Sequence, residues 1–362
     1  MSDPTSRLTG QLRVVGAGLL GASVGLGMRA HGVDVVLADA SPSNLSLAVD
    51  YGAGRRAAAG DDPVLVVVCV PPDLTASVVR AELAAFPNAV VTDVASVKVA
   101  PLTELEASGV DLSRYVGSHP LAGRERGGAI SARADLFIGR PWVVCTRPEL
   151  SRKRVSVVES LILDLGATPV EMNSVAHDAA VALVSHTPQI VSSLMAKRLA
   201  DSSDAALAIA GQGLRDVTRI ASSQPELWVQ ILGANAPAVV EILQAYRDDL
   251  DRVIEALGDP VAVGARRALA EELADGNAGV ARLPGKHGQE RKYSQIVVMV
   301  DDIPGELGRL FTELGEIGIN IEDLRLEHSP EAQFGLAEIS VLPDTLQRAI
   351  DELSARNWRM AG

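Results

Sequence analysis

The stretch Leu12–Asp39, LRVVGAGLLGASVGLGMRAHGVDVVLAD, decides how the chain begins to fold. An apolar run enters a glycine turn, and a helical pattern, a second apolar run and a carboxylate follow. Gly16, Gly18 and Gly21 stand at GxGxxG spacing. The first permits a tight turn out of a strand. The second lets backbone approach a pyrophosphate, and the third lets the next helix lie close on the sheet. Leu19 and Leu20 begin that helix, whose unpaired N–H groups and partial positive charge suit phosphate oxygens. Asp39 comes about 20 residues on, where a carboxylate accepts hydrogen bonds from ribose and repels a 2′-phosphate. Ala40 and Ser41 add no cation, so the pattern predicts NAD in preference to NADP.

Working outward, the alternation continues. A helical stretch over Ser43–Tyr51 precedes PVLVVVCVPP (Pro63–Pro72), an apolar run that reads as a parallel strand buried on both faces. Val70 and Pro71 at its exit are further candidates for cofactor contact. A helix over Leu74–Leu83, the strand NAVVTDV, a helix from Lys98, the strands RYVGSHP and RPWVVCT (Arg140–Thr146), and a helix over Arg152–Leu165 follow. This is the pattern of a doubly wound α/β sheet, expected over residues 1–172. From Asn173 the texture becomes Ala/Val/Leu/Ile-rich and helical, with long helices expected over Val175–Leu199 and Ala236–Leu257. Residues 173–283 therefore read as an all-helical domain, and so many apolar residues in so short a domain suggest that some of that surface meets another subunit. The polar stretch 284–292 reads as a linker. Residues 293–362 read as a small βαββα domain.

The chain has 362 residues, enough for two or three domains, and a formal charge of −13. That charge argues against nucleic acid or an anionic membrane surface as partner. An anionic substrate must then be met by locally placed cations. Cys69 and Cys145 lie in valine-rich runs, which points to buried thiols rather than a disulfide or metal site. The N-terminus lacks an apolar signal core, and no run reads as a membrane span, so a cytoplasmic protein is expected.

Three further stretches carry candidate chemistry. In TDVASVK, Ser96 follows a strand end, where ligands bind in such sheets; it also reads as an N-cap for the next helix. In VGSHPLAGRERGG, His119 is suited to take a proton near neutral pH, and it also reads as an ordinary loop histidine. Arg124, Glu125 and Arg126 read equally as a surface charge cluster. His177 and His186 are nine residues apart, on opposite sides of a straight helix. They meet in one pocket only if the helix bends or breaks, as Pro188 allows, and a metal site is not expected. Asp216 and Arg219 read as an i,i+3 ion pair, or Arg219 as an enclosed cation awaiting an anion.

Taken in order, GAGLLGAS, TDVASVK, GSHPLAG with Glu125 six residues after His119, HDxxxAxxSHTP and RDVTRIASSQPELW resemble the prephenate dehydrogenase family. The resemblance spans roughly residues 12–257. It implies a Rossmann domain followed by a helical dimerisation domain, a homodimer, and NAD-dependent oxidative decarboxylation of prephenate or arogenate. By the same resemblance His119 is the catalytic histidine and Ser96 orients the substrate hydroxyl. Arg219 binds a substrate carboxylate, and His186 and Glu125 support the pocket. Gln189 stands where many members have histidine, and Arg124 where Thr or Ser is usual, at the side-chain end of the substrate. The tail resembles an ACT domain, with Pro304, Gly305 and Asn320 as effector-binding candidates. Val300 and Asp302 depart from the serine-sensing pattern, and the pathway implies an aromatic amino acid, tyrosine, as effector. Two other readings stand beside this one. A β-hydroxyacid dehydrogenase-like reductase is disfavoured because Lys197 lacks a GxxxNxxK context. A non-catalytic NAD and amino-acid sensor is separated by assay.

Overall fold

The computed structural model describes residues 6–124, 127–283, 293–328 and 334–360. Contacts divide the chain into two compact units, residues 1–246 and 247–362.

The first unit is built on an eight-stranded sheet: β1 (Gln11–Val15), β2 (Val35–Ala38), β3 (Arg55–Arg56), β4 (Pro63–Val68), β5 (Val90–Asp93), β6 (Tyr115–Pro120), β7 (Pro141–Cys145) and β8 (Thr168–Met172). Their order is β3-β2-β1-β4-β5-β6-β7-β8. All neighbours are parallel except β6 and β7, so the last two strands run against the other six. The expected alternation of strand and helix is present, with α1 (Leu19–Ala30), α2 (Pro42–Asp50), α3 (Pro72–Ala85), α4 (Val99–Ala107) and α5 (Arg152–Asp164) as connections. Order reverses between β1 and β4, which opens a crevice at their carboxyl ends. The two-residue β3 carries too little apolar signal to be read from the sequence. Leu12, Leu37, Leu65, Leu161 and Ile162 are fully buried in this core. Each contributes about 1.5–3 kcal/mol relative to exposure. Cys69 and Cys145 are both free thiols, half-buried and buried respectively.

The helical segment opens with α6 (Ser174–Val181), and the Asn173 side chain accepts from the Ala176 N–H to start it. The single helix expected over Val175–Leu199 is not uniform. Ala182–His186 forms a π turn, and α7 (Thr187–Lys197) continues beyond it. By length and composition Ser174–Lys197 is apolar enough to cross a membrane, at mean hydropathy 1.2, which the sequence reading did not expect. The buried polar residues His177, Asp178, His186 and Gln189 along it fit a protein interior instead. Short helices α8 (Asp204–Ala208), α9 (Gln212–Thr218) and α10 (Pro225–Ala234) lead to α11 (Ala236–Gly258), which contains the boundary between the units.

In the second unit, α12 (Ala265–Ala281) is pinned to α11 by the Arg252–Glu272 ion pair at 2.5 Å. The linker expected at 284–292 lies outside the described residues. Beyond it come β9 (Ser294–Asp301), α13 (Glu306–Glu316), β10 (Asp323–His328), β11 (Phe334–Val341), α14 (Leu346–Ala355) and a strand the sequence reading lacked, β12 (Arg359–Met360). Their order is β10-β11-β9-β12, wholly antiparallel, with α13 and α14 supplying Leu310, Leu314, Ala349 and Leu353 to its core. This is the split βαβ arrangement of ferredoxin-like domains. Asn357, at φ 65°, turns the chain out of α14 into β12.

Candidate active site

The glycine turn sits at the sheet's switch point, and the three glycines differ in what surrounds them. A Cβ on Gly16 would lie 2.2 Å from the Cys69 carbonyl oxygen, and one on Gly21 would lie 1.9 Å from that of Gly16. These two positions are closed by packing. A Cβ on Gly18 would meet nothing within 4 Å. Gly18 is also the N-cap of α1, with no side chain to satisfy the first N–H groups. The turn therefore presents bare N–H groups to open space, which is the cradle a pyrophosphate requires. Half-buried Leu19 and Leu20 form the first turn of α1. Val70 and Pro71 follow β4 across the crevice. Asp39 directly follows β2; its Oδ2 accepts from the Ala17 N–H at 2.6 Å and its Oδ1 from the Ser41 N–H at 2.7 Å. Each carboxylate oxygen retains a lone pair for a ribose hydroxyl.

His119 lies near the end of β6, beside β5, where Asp93 pairs in register with Gly117. Its Nδ1 is 2.8 Å from Nε2 of His177, whose Nδ1 is 2.7 Å from Oδ1 of Asp178. All three are buried. Asp178 also accepts from the Lys98 N–H at 2.8 Å and the Val99 N–H at 2.9 Å. It thereby caps α4 from a different helix. Ser96 is not that cap: α4 starts two residues later than a Ser96 cap would require. Its hydroxyl, half-buried, carries no hydrogen bond within the described chain.

Beneath this chain lies a second polar group. The Asp93 carboxylate accepts from Lys98 Nζ, from the Tyr115 hydroxyl at 2.7 Å and from the Ala95 N–H at 2.9 Å. The missing Cβ of Gly117 leaves room for it, since an added one would lie 3.2 Å from the Tyr115 hydroxyl. Ser118 is equally well satisfied, donating to the Asp93 carbonyl at 2.8 Å and accepting from Trp142 Nε1 at 3.0 Å. Burial holds the His119 imidazole well below the usual histidine range, and the nearby Lys98 cation acts in the same direction. Histidine 119 is thus neutral at physiological pH, as a proton acceptor must be.

The π turn brings His186 to this side. Nine residues of α-helix advance about 900°, which places His177 and His186 on opposite faces. The extra residue taken up by a π turn sets His186 back by roughly 100°. Pro188, without an N–H, stands just past it. His186 Nδ1 lies 3.1 Å from the Asn235 amide nitrogen, which also donates to the Asp178 carbonyl at 2.8 Å. The edge of the half-buried Trp228 ring meets His186, centroids 6.1 Å apart. Burial lowers His186 to about 4. Gln189, one turn further along α7, is buried, and its Nε2 is 3.4 Å from the Ser193 hydroxyl.

Of the remaining candidates, Arg219 begins a 3₁₀ turn that packs on α7. The Asp216–Arg219 ion pair is not formed: Asp216 accepts from Gln212 at 2.9 Å, and Arg219 is exposed rather than enclosed, without an ion partner among the described residues. Arg124 is likewise exposed and unpaired there, and Glu125 lies outside the described residues. In the second unit Pro304 and Gly305 line a cavity of ≈ 380 Å³ with Ile303, Leu307, Leu326 and Leu336. Asn320 is not on its wall; its amide donates to Glu322 at 2.6 Å. Asp178, Asn235 and Trp228 were not among the sequence candidates, and His177 was weighed only against His186, not as a partner of His119; all but Asn235 fall inside motifs quoted from the sequence.

A doubly wound sheet with an open glycine cradle, a neutral buried histidine and a following helical segment defines a nucleotide-binding protein of the Rossmann class. Comparison narrows this. Residues 24–171 match the family described as "Prephenate dehydrogenase, nucleotide-binding domain", and residues 173–273 match "Prephenate dehydrogenase, dimerization domain". The chain belongs to the prephenate dehydrogenase family. It is 34% identical to the "Probable prephenate dehydrogenase NovF" of Streptomyces niveus, over 95% of this chain and 98% of that protein. Among solved structures, a Synechocystis arogenate dehydrogenase is 28% identical, with TM-score 0.59, covering 75% of this chain and 100% of the other. The prephenate dehydrogenase of A. aeolicus, in complex with hydroxyphenyl propionate and NAD+, shares the fold at TM-score 0.65 and 24% identity, over 75% of this chain and 98% of that one.

Proposed function

We propose that this protein is an NAD-dependent prephenate dehydrogenase, converting prephenate to 4-hydroxyphenylpyruvate and carbon dioxide. The observation that carries the reading is His119, buried, neutral and hydrogen-bonded on its inner nitrogen, at the carboxyl end of a sheet with an open phosphate cradle. NAD, when bound, accepts the hydride from the carbon bearing the substrate hydroxyl. His119 takes the hydroxyl proton, and Ser96, with its free hydroxyl, orients that oxygen. Arg219 meets a substrate carboxylate, a charge this acidic chain must supply locally. The dienone formed loses carbon dioxide because the electron pair left behind completes an aromatic ring, and the resulting phenolate takes the proton back from His119. His186 supports the pocket, Glu125 is assigned a supporting role by the family resemblance alone, and Gln189 and Arg124 belong to the side-chain end of the substrate. Gly16, Gly18, Gly21, Leu19, Leu20, Asp39, Val70 and Pro71 hold the dinucleotide.

The relatives named prephenate dehydrogenase favour prephenate over arogenate as substrate. The dimerisation-domain match supports a homodimer. The cavity at Pro304 and Gly305, lined by Leu307, Leu326 and Leu336 and by Asp301 and Asp302, supports an ACT-like site for an amino-acid effector, and the pathway implied by the family points to tyrosine. The test of the activity is to mix protein, NAD and prephenate or arogenate and follow NADH and carbon dioxide. Equal amounts of both products, with prephenate preferred, are expected. No NADH from either substrate would return the chain to a nucleotide-binding sensor.

A further inference from the structure

The His119–His177–Asp178 chain fixes more than position. The Asp178 carboxylate only accepts hydrogen bonds, so the 2.7 Å contact requires the proton of His177 to sit on Nδ1. With its single proton so placed, His177 has a bare Nε2, and the 2.8 Å contact requires His119 to carry its proton on Nδ1. The outer nitrogen of His119, Nε2, is left as the acceptor. Asp178 cannot readily swing away, because two backbone N–H groups at the start of α4 hold the same carboxylate.

We infer that His177 and Asp178 are positioning residues that lock His119 in the tautomer whose Nε2 faces the substrate hydroxyl. The inference rests on His119 being the acceptor in the proposed reaction. As the hydroxyl proton moves to Nε2, the Nδ1–H of His119 becomes part of a cation. Its hydrogen bond to His177 then strengthens, and His177 is steadied in turn by Asp178. No proton leaves the chain, and none needs to reach the carboxylate. A lone histidine in the same cleft would divide itself between two tautomers and two ring orientations, and only a fraction would be competent.

Two measurements test this. Nitrogen NMR of the full-length protein at neutral pH, without substrate, reads the tautomer directly. His119 is expected as the Nδ1–H form, and the Nε2–H form would overturn the inference. That readout stands even if prephenate is not oxidised, so failure of the activity and failure of the relay are distinguishable. The second is a pair of variants. His177→Leu removes the acceptor and should lower kcat by on the order of 10²-fold or more, as wrong-tautomer variants do elsewhere, with KM little changed. His177→Gln supplies an amide oxygen to Nδ1–H and should recover most of that loss. Wild-type kcat in both variants, or equal impairment in both, would contradict the role.

Discussion

Replacing Lys98 by methionine tests the polar group beneath the site. The side chains of Lys98 and Asp93 are 1% and 0% exposed, so the pair is wholly desolvated. Methionine preserves most of the volume but leaves the Asp93 carboxylate with only the Tyr115 hydroxyl and the Ala95 N–H. Breaking one partner of a buried pair costs about 3–5 kcal/mol, because the other charge is stranded. Set against a total of roughly 5–15 kcal/mol, that is a large share. At about 2–4 °C per kcal/mol for a unit of this size, Tm should fall by roughly 6–20 °C. The double variant Asp93→Asn/Lys98→Met strands no charge, and Asn still accepts from Tyr115, so it should melt well above the single variant. The Lys98 cation also disfavours protonation of His119. Its removal should raise the His119 pKa, moving the acid limb of kcat/KM to higher pH. Scanning calorimetry and pH-rate profiles measure both effects. A single variant melting within about 2 °C of wild type would refute the reasoning, because the pair could not then be desolvated as its burial requires.

Other outcomes follow from the same geometry. Asp39→Asn removes the charge facing the ribose while keeping an acceptor for the Ala17 N–H, so NAD binding should weaken and the gap to NADP should narrow; an unchanged ratio of the two affinities argues against Asp39 as the discriminator. His186, lowered to about 4 by burial, stays neutral in the native state while the unfolded chain gains a proton below about 6.5. Its stabilisation is complete above that pH and is lost as pH falls toward 4, with His119 acting in the same sense; His186→Gln should therefore show a shallower decline of Tm between pH 6.5 and 4.5, and identical slopes would count against it. In the second unit, Leu326, 42% exposed at the cavity, tolerates change. Leu326→Arg should abolish tyrosine inhibition without altering kcat, and retained inhibition would remove the effector from that cavity.

The sequence made the nucleotide-binding half legible because its signals are local. Glycine spacing, apolar runs and the closing carboxylate are each set within one βαβ unit. His119 was visible as a histidine at a strand end, but its partners were not. His177 and Asp178 reach it from a helix more than fifty residues away, and only tertiary packing brings them there. The straight-helix rule separated His177 from His186, and a single π turn at Ala182–His186 changed that outcome. Ser96 lost its expected capping role for a similar reason, since a distant carboxylate supplies the cap of α4. The ion pair read at Asp216 and Arg219 is absent, and Asp216 accepts instead from Gln212, one turn earlier.

The central claim is that His119 accepts the substrate's hydroxyl proton. His119→Asn, assayed with prephenate and NAD, tests it most directly. A positioned base contributes on the order of 10²–10⁴ in rate. In that variant kcat should fall by that factor while the Kd for NAD, measured by calorimetry, is essentially unchanged. A kcat within a few-fold of wild type would contradict it.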